Sequence, residues 1–383
     1  MKSTTPSRWR RAAIIVTTIV FVLVTSLYVY MQTPVFGDEP SGDRLARIKK
    51  SPHYKEGKFQ NDTPTPTFPK GYTFWGEIRK SAFTSWPELE PGRALPSIIT
   101  DLKNLPQNKD VAIWFGHASC FIQINGKRIL IDPVFNTHAS PVPGSIKAFE
   151  GTMLYTAEEM PRIDYLLISH DHYDHLDYET ALALKEKVGK VVCGLGVGAH
   201  FERWGYDLNQ IMERDWREEA GIDSALTIHV LPARHKSGRG LHQNNTLWAS
   251  FLIRTSAYSI YISGDGGYGA HFAEIGEKYG PIDLAIMECG QYDSAWHYIH
   301  LLPEESMKAA IDLKAEAILP VHHSKFVLAR HRWYEPLEKI TAANKDKNAP
   351  LVVTPMIGQA VELGKPLPTF SKWWKTYQEN KLN

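Results

Sequence analysis

A short stretch rich in histidine and aspartate constrains this chain more than any other feature. Four side chains of types that bind metals, His170, His172, Asp174 and His175, lie within six residues directly after an apolar, strand-like run. So many ligand-type side chains at the carboxyl end of a strand converge only if their loop folds around a positive charge. Imidazole and carboxylate without thiolate suit zinc, and manganese or iron also accept them. The stretch therefore predicts a divalent metal centre.

This centre needs more ligands than the stretch itself supplies. One ion does not easily take all four side chains, because His170 and His172 flank one direction of the loop while Asp174 and His175 turn toward another. Two neighbouring ions would require further ligands from elsewhere in the chain. Three more candidates each stand just beyond an apolar strand-like run: His235, Asp265 and His322. The pattern therefore predicts a centre with two metal ions.

The remainder of the chain after Val111 alternates short apolar, β-branched runs with turn residues. An Asn125-Gly126 step between two of these runs is a strong hairpin signal, and helices are predicted at 178–187 and 303–313. Strands first, and then strands alternating with helices, predict an α/β fold with stacked sheets flanked by helices in an αβ/βα layering. The predicted strands lie at 111–115, 120–124, 128–131, 165–168, 190–192, 226–231, 248–253, 259–262, 284–287 and 317–319.

The ordered motif His-x-His-x-Asp-His at 170–175, followed downstream by His, Asp and His, resembles the metallo-β-lactamase superfamily. Within it, the chain is most similar to the branch of N-acylphosphatidylethanolamine-hydrolysing phospholipase D and related bacterial hydrolases. The segments 115–119, 130–135, 232–235 and 264–268 also read like that branch, and the resemblance covers roughly residues 108–369. It implies a four-layered αβ/βα sandwich with hydrolase activity.

The resemblance also implies how the ligands are shared between two zinc ions per chain. One zinc would be held by His170, His172 and His235. The other would be held by Asp174, His175 and His322, with Asp265 bridging the two.

Three residues are expected to act in catalysis. Two ions about 3.5 to 4 Å apart can activate a water molecule between them, and Asp174 would also orient that water. His300 falls where the branch places an active-site histidine, and it would donate a proton or hydrogen bond toward the leaving group. Asp132, between a strand and Pro133, would accept a hydrogen bond from a metal histidine. By contrast, His117 is interpreted as a structural residue at a strand end.

The substrate remains open between several chemistries. A phosphodiesterase of phospholipase D type, acting on N-acylphosphatidylethanolamine-like lipids, is the favoured function. The same activated water attacks carbon as well as phosphorus, so hydrolysis of a lactone, amide or other ester is the alternative. Two departures from the branch bear on this choice: His323-Ser324-Lys325-Phe326 replaces Trp-Gly-Thr-Phe, and Gly266 replaces threonine. A non-catalytic metal-binding envelope protein is a third hypothesis, which seven ligand candidates without thiolate disfavour.

The amino-terminal region contains an uncharged apolar run of 20 residues at 12–31, preceded by Lys2, Arg8, Arg10 and Arg11. As a helix it would extend about 30 Å, the thickness of a bilayer's hydrocarbon core. The basic residues before it predict a single-pass anchor with a cytoplasmic amino terminus and an exported catalytic domain, periplasmic if the source is bacterial. A cleaved signal peptide is the alternative, but residues 32–37 offer no small-x-small cleavage pattern.

The expected organisation is a basic stub and anchor at 1–35, a proline-containing extension at 36–107 that packs on the main domain, and the hydrolase domain at 108–383. A hydrophobic fraction of 43% excludes a disordered chain. A formal net charge of +1 provides no global field for nucleic acid. The expected partners are therefore a membrane and a phospholipid or other small ester or phosphodiester, and the sequence carries no signal for an oligomeric state.

Overall fold

The computed structural model describes residues 8–220, 226–344 and 349–379. Its helices are α1 (Arg8–Met31), α2 (Gly42–Ile48), α3 (Phe74–Phe83), α4 (Tyr178–Leu184), α5 (Gly198–Arg203), α6 (His271–Tyr279), α7 (Pro303–Asp312), α8 (Glu335–Ala343) and α9 (Trp373–Glu379). Its strands are β1 (Tyr54–Lys55), β2 (Lys58–Phe59), β3 (Val111–Trp114), β4 (Cys120–Ile124), β5 (Lys127–Ile131), β6 (Ile163–Ile168), β7 (Val188–Gly194), β8 (Ile211–Arg214), β9 (Thr227–Leu231), β10 (Ser250–Arg254), β11 (Ser259–Ile262), β12 (Leu284–Glu288), β13 (Ala317–Val321), β14 (Leu351–Val352) and β15 (Ala360–Glu362).

Two mixed sheets face each other across a shared core. The first has the strand order β15-β3-β4-β5-β6-β7-β8, and the second has the order β14-β13-β12-β11-β10-β9. Ile122 and Ile129 of the first sheet belong to the same buried apolar cluster as Ile228 and Phe251 of the second. Burial of these side chains between the sheets supplies the main hydrophobic stabilisation of the fold.

Helices cover the outer face of each sheet. Leu166 of β6 packs in one cluster with Leu184 of α4 and Phe201 of α5. On the other sheet, Tyr261 of β11 belongs to one buried cluster with Ile275 of α6 and with residues of α7 and α8. The resulting order of helices, sheet, sheet and helices confirms the predicted αβ/βα layering.

The hairpin between β4 and β5 forms where the Asn-Gly step predicts it. Asn125 and Gly126 have φ angles of 49° and 69°, and Ile124 pairs with Lys127 across the turn. Positive φ at both central residues is the requirement of a type I′ turn, which asparagine and glycine satisfy at little cost.

Parallel strands bring the ligand candidates to one end of the two sheets. The strands β5, β6 and β7 run parallel, and so do β11, β12 and β13. The histidine-rich stretch follows β6, Asp265 follows β11, and His322 follows β13. Because the carboxyl ends of parallel strands share an edge, these side chains face one region above the core.

Helix α1 stands apart from the core. None of its 24 residues is buried, and it is long and apolar enough to be a candidate membrane span. It contains the whole run at 12–31 that the sequence predicts to be helical. Downstream of it, Ile48, Phe59 and Leu95 are buried in the core cluster between the sheets.

Candidate metal centre

Three histidine nitrogens meet on one side of the site. His170 Nε2 lies 2.9 Å from His172 Nδ1, and His235 Nε2 lies 3.3 Å from the same atom. Nitrogen ligands at 2.0–2.1 Å around one tetrahedral ion are about 3.3 Å apart. The spacing of these three rings therefore fits a single ion.

A second group of ligand atoms lies around Asp174. Its Oδ2 is 3.5 Å from His175 Nε2 and 3.4 Å from His322 Nε2. The Nε2 atom of His175 is buried and makes no hydrogen bond with the described part of the chain. Leaving a buried polar atom unpaired is costly, so a cation at this position would satisfy an atom that the protein itself does not.

Asp265 lies between the two groups. Its Oδ2 is 3.1 Å from His175 Nε2 and 3.2 Å from His322 Nε2. The same oxygen is 3.9 Å from both His170 Nε2 and His235 Nε2. The structure thus brings all seven predicted ligands together, with the carboxylate placed to contact an ion on either side.

Hydrogen bonds on the far side of the rings fix which nitrogens face the centre. Nδ1 of His235 lies 2.8 Å from the carbonyl oxygen of Ile299, and Nδ1 of His322 lies 3.2 Å from Glu288 Oε1. Since these oxygens only accept, each Nδ1 must carry the proton. In the neutral form of each ring, Nε2 then presents its lone pair to the centre, as metal-binding histidines do.

Asp132 orients His175 in the same way. Its Oδ2 lies 2.9 Å from His175 Nδ1 and accepts a 2.6 Å hydrogen bond from Ser169 Oγ. Its Oδ1 accepts from the Ser169 backbone nitrogen at 2.8 Å. Asp132 and Ser169 follow the neighbouring parallel strands β5 and β6, which explains why the two residues meet.

His300 lines the cavity above the centre. Its Nδ1 contacts Oε1 of Glu288, a fully buried carboxylate at the end of β12. The backbone nitrogen of Gly266 donates to Oε2 of Glu288 at 2.6 Å. Glu288 therefore fixes the His300 ring and leaves Nε2 to exchange a proton with a molecule in the cavity.

Two residues of this arrangement, His117 and Glu288, were not among the sequence predictions for the site. His117 Nε2 lies 2.8 Å from Asp174 Oδ2, and the ring is fully buried. The interpretation of His117 as a structural strand-end residue is incomplete, because its side chain contacts a predicted ligand. Its position after β3, and that of Glu288 at the end of β12, repeats the pattern of a polar residue where a strand ends.

The charges of the centre suit metal binding. Burial opposes ionisation of Asp265, but His175 and His322 hold its pKa well below the usual value. Burial lowers the pKa of His172 to about 4 and holds the pKa of His170 well below its usual value. At neutral pH the Asp265 carboxylate is ionised and the imidazoles of His170 and His172 are neutral, which are the forms that bind metals. Burial opposes protonation of His322 and His175, but Asp265 and the neighbouring carboxylates raise the pKa of His322 to about 10 and hold the pKa of His175 well above its usual value. A cation bound at these two rings would therefore take the place of a proton.

A cavity of about 700 Å³ opens above these ligands. Helix α3 forms part of its wall, and Glu77 of α3 contacts Arg330, which also donates to Asp293 at 2.8 Å. The apolar side chains that line it are Phe68, Phe74, Ile78, Ala82, Trp296, Ile299 and Leu328. The cavity therefore combines a polar floor at the metal ligands with an apolar wall.

Lys236 is the notable cation of this cavity. It lies next to His235, lines the cavity, and burial lowers its pKa. Arg330 is paired with two carboxylates, whereas Lys236 forms no ion pair with any residue in the described ranges. An unpaired, partly desolvated ammonium beside a cation-binding centre favours an anionic occupant.

His323 and Lys325, in the segment 323–326 that departs from the sequence of the related branch, do not face the cavity. His323 Nε2 lies 3.1 Å from the Pro320 carbonyl oxygen, and its ring packs 4.7 Å from that of Trp114. Lys325 Nζ donates to the Val134 carbonyl oxygen at 2.9 Å. These side chains fill the interior behind the ligands, and neither lines the cavity wall.

Buried Lys325 gives a prediction about stability. Burial lowers its pKa to about 7, against about 10.4 in an unfolded chain. Between these values the unfolded state binds more protons, so Lys325 makes stability rise with pH by about 1.4 kcal/mol per unit. We expect Lys325→Met to be more stable than wild type at pH 7.5, with an advantage that shrinks toward pH 9.5. Urea unfolding in detergent measures the difference in the free energy of unfolding between the two proteins. A difference that does not change with pH would contradict the lowered pKa of Lys325.

Comparisons with known proteins agree with this geometry. Residues 127–323 match the family model described as a beta-lactamase superfamily domain. An uncharacterized protein of Mycobacterium tuberculosis is 35% identical over 333 residues, which cover 85% of this chain and 88% of the relative. The N-acyl-phosphatidylethanolamine-hydrolyzing phospholipase D 1 of Caenorhabditis elegans is 29% identical over 249 residues. These residues cover 60% of this chain and 68% of the relative. Igni18, a metallo hydrolase from Ignicoccus hospitalis KIN4/I, has a similar fold, with a TM-score of 0.51 at 23% identity over 68% of this chain and 99% of that one.

Proposed function

Since the chain belongs to the metallo-β-lactamase superfamily of metal-dependent hydrolases, we propose that it is a membrane-anchored, dinuclear zinc phosphodiesterase of phospholipase D type. The observation that carries this proposal is the position of Asp265. Its carboxylate lies within 3.9 Å of histidines from both ligand groups, at the floor of an amphipathic cavity. Manganese or iron would suit the same donors, and zinc is the ion we test first.

Different residues of the chain have different roles in the hydrolysis of a phosphodiester. Two divalent ions, when bound, neutralise charge on the phosphoryl oxygens and acidify a water molecule. Asp174 orients that water through its second oxygen, and His117 fixes the carboxylate at 2.8 Å. Lys236 attracts the phosphate anion. His300, held by Glu288, donates a proton to the leaving oxygen.

The cavity wall favours a lipid. Phe68, Phe74 and Ile78 offer apolar surface next to the polar floor, which suits an acyl chain attached to an anionic phosphodiester. The C. elegans relative is named for hydrolysis of N-acylphosphatidylethanolamine. We therefore propose N-acylphosphatidylethanolamine-like lipids as the substrate class.

Helix α1 would keep the enzyme beside such lipids. None of its residues is buried, and it is apolar enough to cross a bilayer. With Arg8, Arg10 and Arg11 at its start, the positive-inside rule predicts a cytoplasmic amino terminus. We propose a single-pass protein whose catalytic domain is exported, to the periplasmic side if the source is bacterial.

A zinc-dependent lactone, amide or carboxylic ester hydrolase is the alternative. The metal ligands do not distinguish this alternative from a phosphodiesterase, because the activated water can attack either carbon or phosphorus. Lys236 favours the phosphodiester, since a neutral lactone leaves its charge without a partner in the described cavity.

A substrate panel tests the proposal. Full-length protein in detergent, loaded with zinc, is assayed on an N-acylphosphatidylethanolamine, a short phosphodiester, a lactone and an amide. We expect release of phosphatidic acid from the lipid, loss of activity with a chelator, and recovery with zinc. Turnover of the lactone or amide alone would overturn the phosphodiesterase assignment. Retention of metal without any turnover would instead support a non-catalytic metal-binding protein.

Lys236→Met tests the anion preference. We expect KM for the phosphodiester to rise about tenfold, the equivalent of about 1.4 kcal/mol, because the variant loses its attraction for the phosphate. Lys236→Arg keeps the positive charge and should stay near wild type. A neutral ester that the enzyme also cleaves should be unaffected, and an equal loss on both substrates would exclude this role.

A further inference from the structure

The segment that leaves α1 contacts the loop that carries the metal ligands. We call residues 32–39 the exit segment and residues 169–177 the metal loop. We propose that the exit segment braces the metal loop, and that Arg239 and His200 are the positioning residues that connect the two. This inference goes beyond the proposed function, since it concerns how the ligands are held rather than which substrate is cleaved.

Arg239 makes the first connection. Its Nη2 donates to the Val35 carbonyl oxygen in the exit segment at 2.7 Å. Its Nη1 donates to two carbonyl oxygens of the metal loop, at 2.8 Å to Asp171 and 2.5 Å to Leu176. The guanidinium is buried and lies 4.1 Å from the ring centre of Tyr173. A single side chain thus ties both sides of the metal loop to the exit segment.

His200 makes the second connection. The backbone nitrogen of Asp38 donates to His200 Nδ1 at 3.0 Å, so the ring proton must reside on Nε2. That nitrogen lies 3.1 Å from Asp171 Oδ2 and donates to it. Asp171 stands between the ligands His170 and His172, and its side chain is buried. The position of Asp38 therefore influences the two ligands that flank Asp171.

Gly37 allows the exit segment to approach this closely. Its φ is 70°, and a Cβ atom built on it would lie 2.0 Å from His200 Nδ1. A side chain here would have to displace the imidazole. Phe36 adds a third contact, with its ring 6.2 Å from that of Tyr173 in the metal loop and 5.4 Å from that of Tyr30 in α1.

The exit segment lies outside the part of the chain that the family model covers, whereas Arg239 and His200 lie within it. The exit segment precedes the matched residues 127–323. Hydrogen-bonding partners of metal ligands typically contribute 10- to 100-fold to metal affinity. The exit segment acts one contact further out, through Arg239 and His200, so we expect an effect at the lower end of that range. We therefore expect the exit segment to control zinc affinity although it supplies no ligand.

Two glycine variants of the full-length protein in detergent test this. Gly37→Ala should weaken zinc binding about tenfold or more, as measured by competition with a chelator, and should change the visible spectrum of the cobalt-loaded protein. Gly42→Ala is the matched control, because Gly42 also has a positive φ of 54° but nothing lies within 4 Å of its Cβ position. Equal zinc affinity in the two variants would overturn the proposal.

Arg239 provides a second test if Gly37→Ala does not fold. Arg239→Met should lose zinc affinity and alter the cobalt spectrum, whereas Arg239→Lys should recover part of both, since an ammonium still donates to carbonyl oxygens. Thermal unfolding with excess chelator shows whether each metal-free variant is folded. Wild-type zinc affinity in folded Arg239→Met would refute the brace. Because zinc binding is the readout, the result does not depend on the substrate assignment.

Discussion

Asp265→Asn is expected to abolish hydrolysis and to release at least one metal ion per chain. Asp265 Oδ2 lies 3.1 and 3.2 Å from His175 and His322 and 3.9 Å from His170 and His235, so no other carboxylate in the described chain can replace it between the two groups. An amide carries no negative charge and is a weak metal ligand. If Asp265 is the metal ligand that we propose, its loss should exceed the roughly 100-fold effect of losing a hydrogen-bonding partner. Elemental analysis and phosphodiester turnover measure the two effects.

Asp283→Asn is the matched control for this substitution. Asp283 stands at the amino end of β12, opposite the strand end where the predicted ligands lie, and pairs with Lys365 at 2.7 Å. It should retain both the metals and the activity. An Asp265→Asn protein that keeps two metals and turns over at the wild-type rate would refute the shared-carboxylate arrangement.

His300→Gln is expected to slow cleavage of an alkyl phosphodiester about 100-fold or more, the usual contribution of a general acid. The imidazole is fixed by Glu288 and faces the cavity, so its loss removes the proton donor for an alkoxide leaving group. A diester with a p-nitrophenolate leaving group needs no such proton and should be cleaved almost as fast as by wild type. Comparison of kcat on the two diesters isolates proton donation.

His297→Gln serves as the control for the histidine substitution. His297 is three residues away and its Nδ1 lies 3.1 Å from the Ser294 carbonyl oxygen, outside the cavity lining. Neither diester should respond to it. Equal losses on both diesters in His300→Gln would mean that His300 positions other groups instead of donating a proton.

The strands that position the site could be predicted from the sequence, because short apolar runs recur along the chain. Each predicted strand-like run forms a strand, and Asp265 and His322 stand shortly after β11 and β13 as the pattern required. Apolar runs that end in a polar side chain have a common physical cause, since the carboxyl edge of a buried strand is where a side chain first meets a cleft. The αβ/βα layering could be predicted because strands come first in the sequence and then alternate with helices.

Other features have no local signal. Glu288 and His117 are single polar residues after strands, without the spacing that marks the metal loop. Strand β8, at the sheet edge, was not predicted from the sequence. Only two of its four residues are apolar, and the other two are the charged Glu213 and Arg214. The contact between Asp38 and His200 joins residues 162 positions apart, and only the folded chain reveals it.

The attachment of the exit segment limits how far the catalytic body could move from a membrane that holds α1, as the proposed function requires. Arg203 contacts the carbonyl oxygens of Gln32 and Gly37, and Trp204 Nε1 donates to that of Pro34 at 2.8 Å, so hydrogen bonds begin immediately after α1 ends. Between Met31 and Gly37, all of which the structure describes, no flexible tether separates the helix from the catalytic body. With α1 inserted in a bilayer, the cavity would stay at a fixed height and orientation over one leaflet. For the proposed membrane-anchored phosphodiesterase, this arrangement predicts cleavage of lipids in its own membrane and none in a facing membrane.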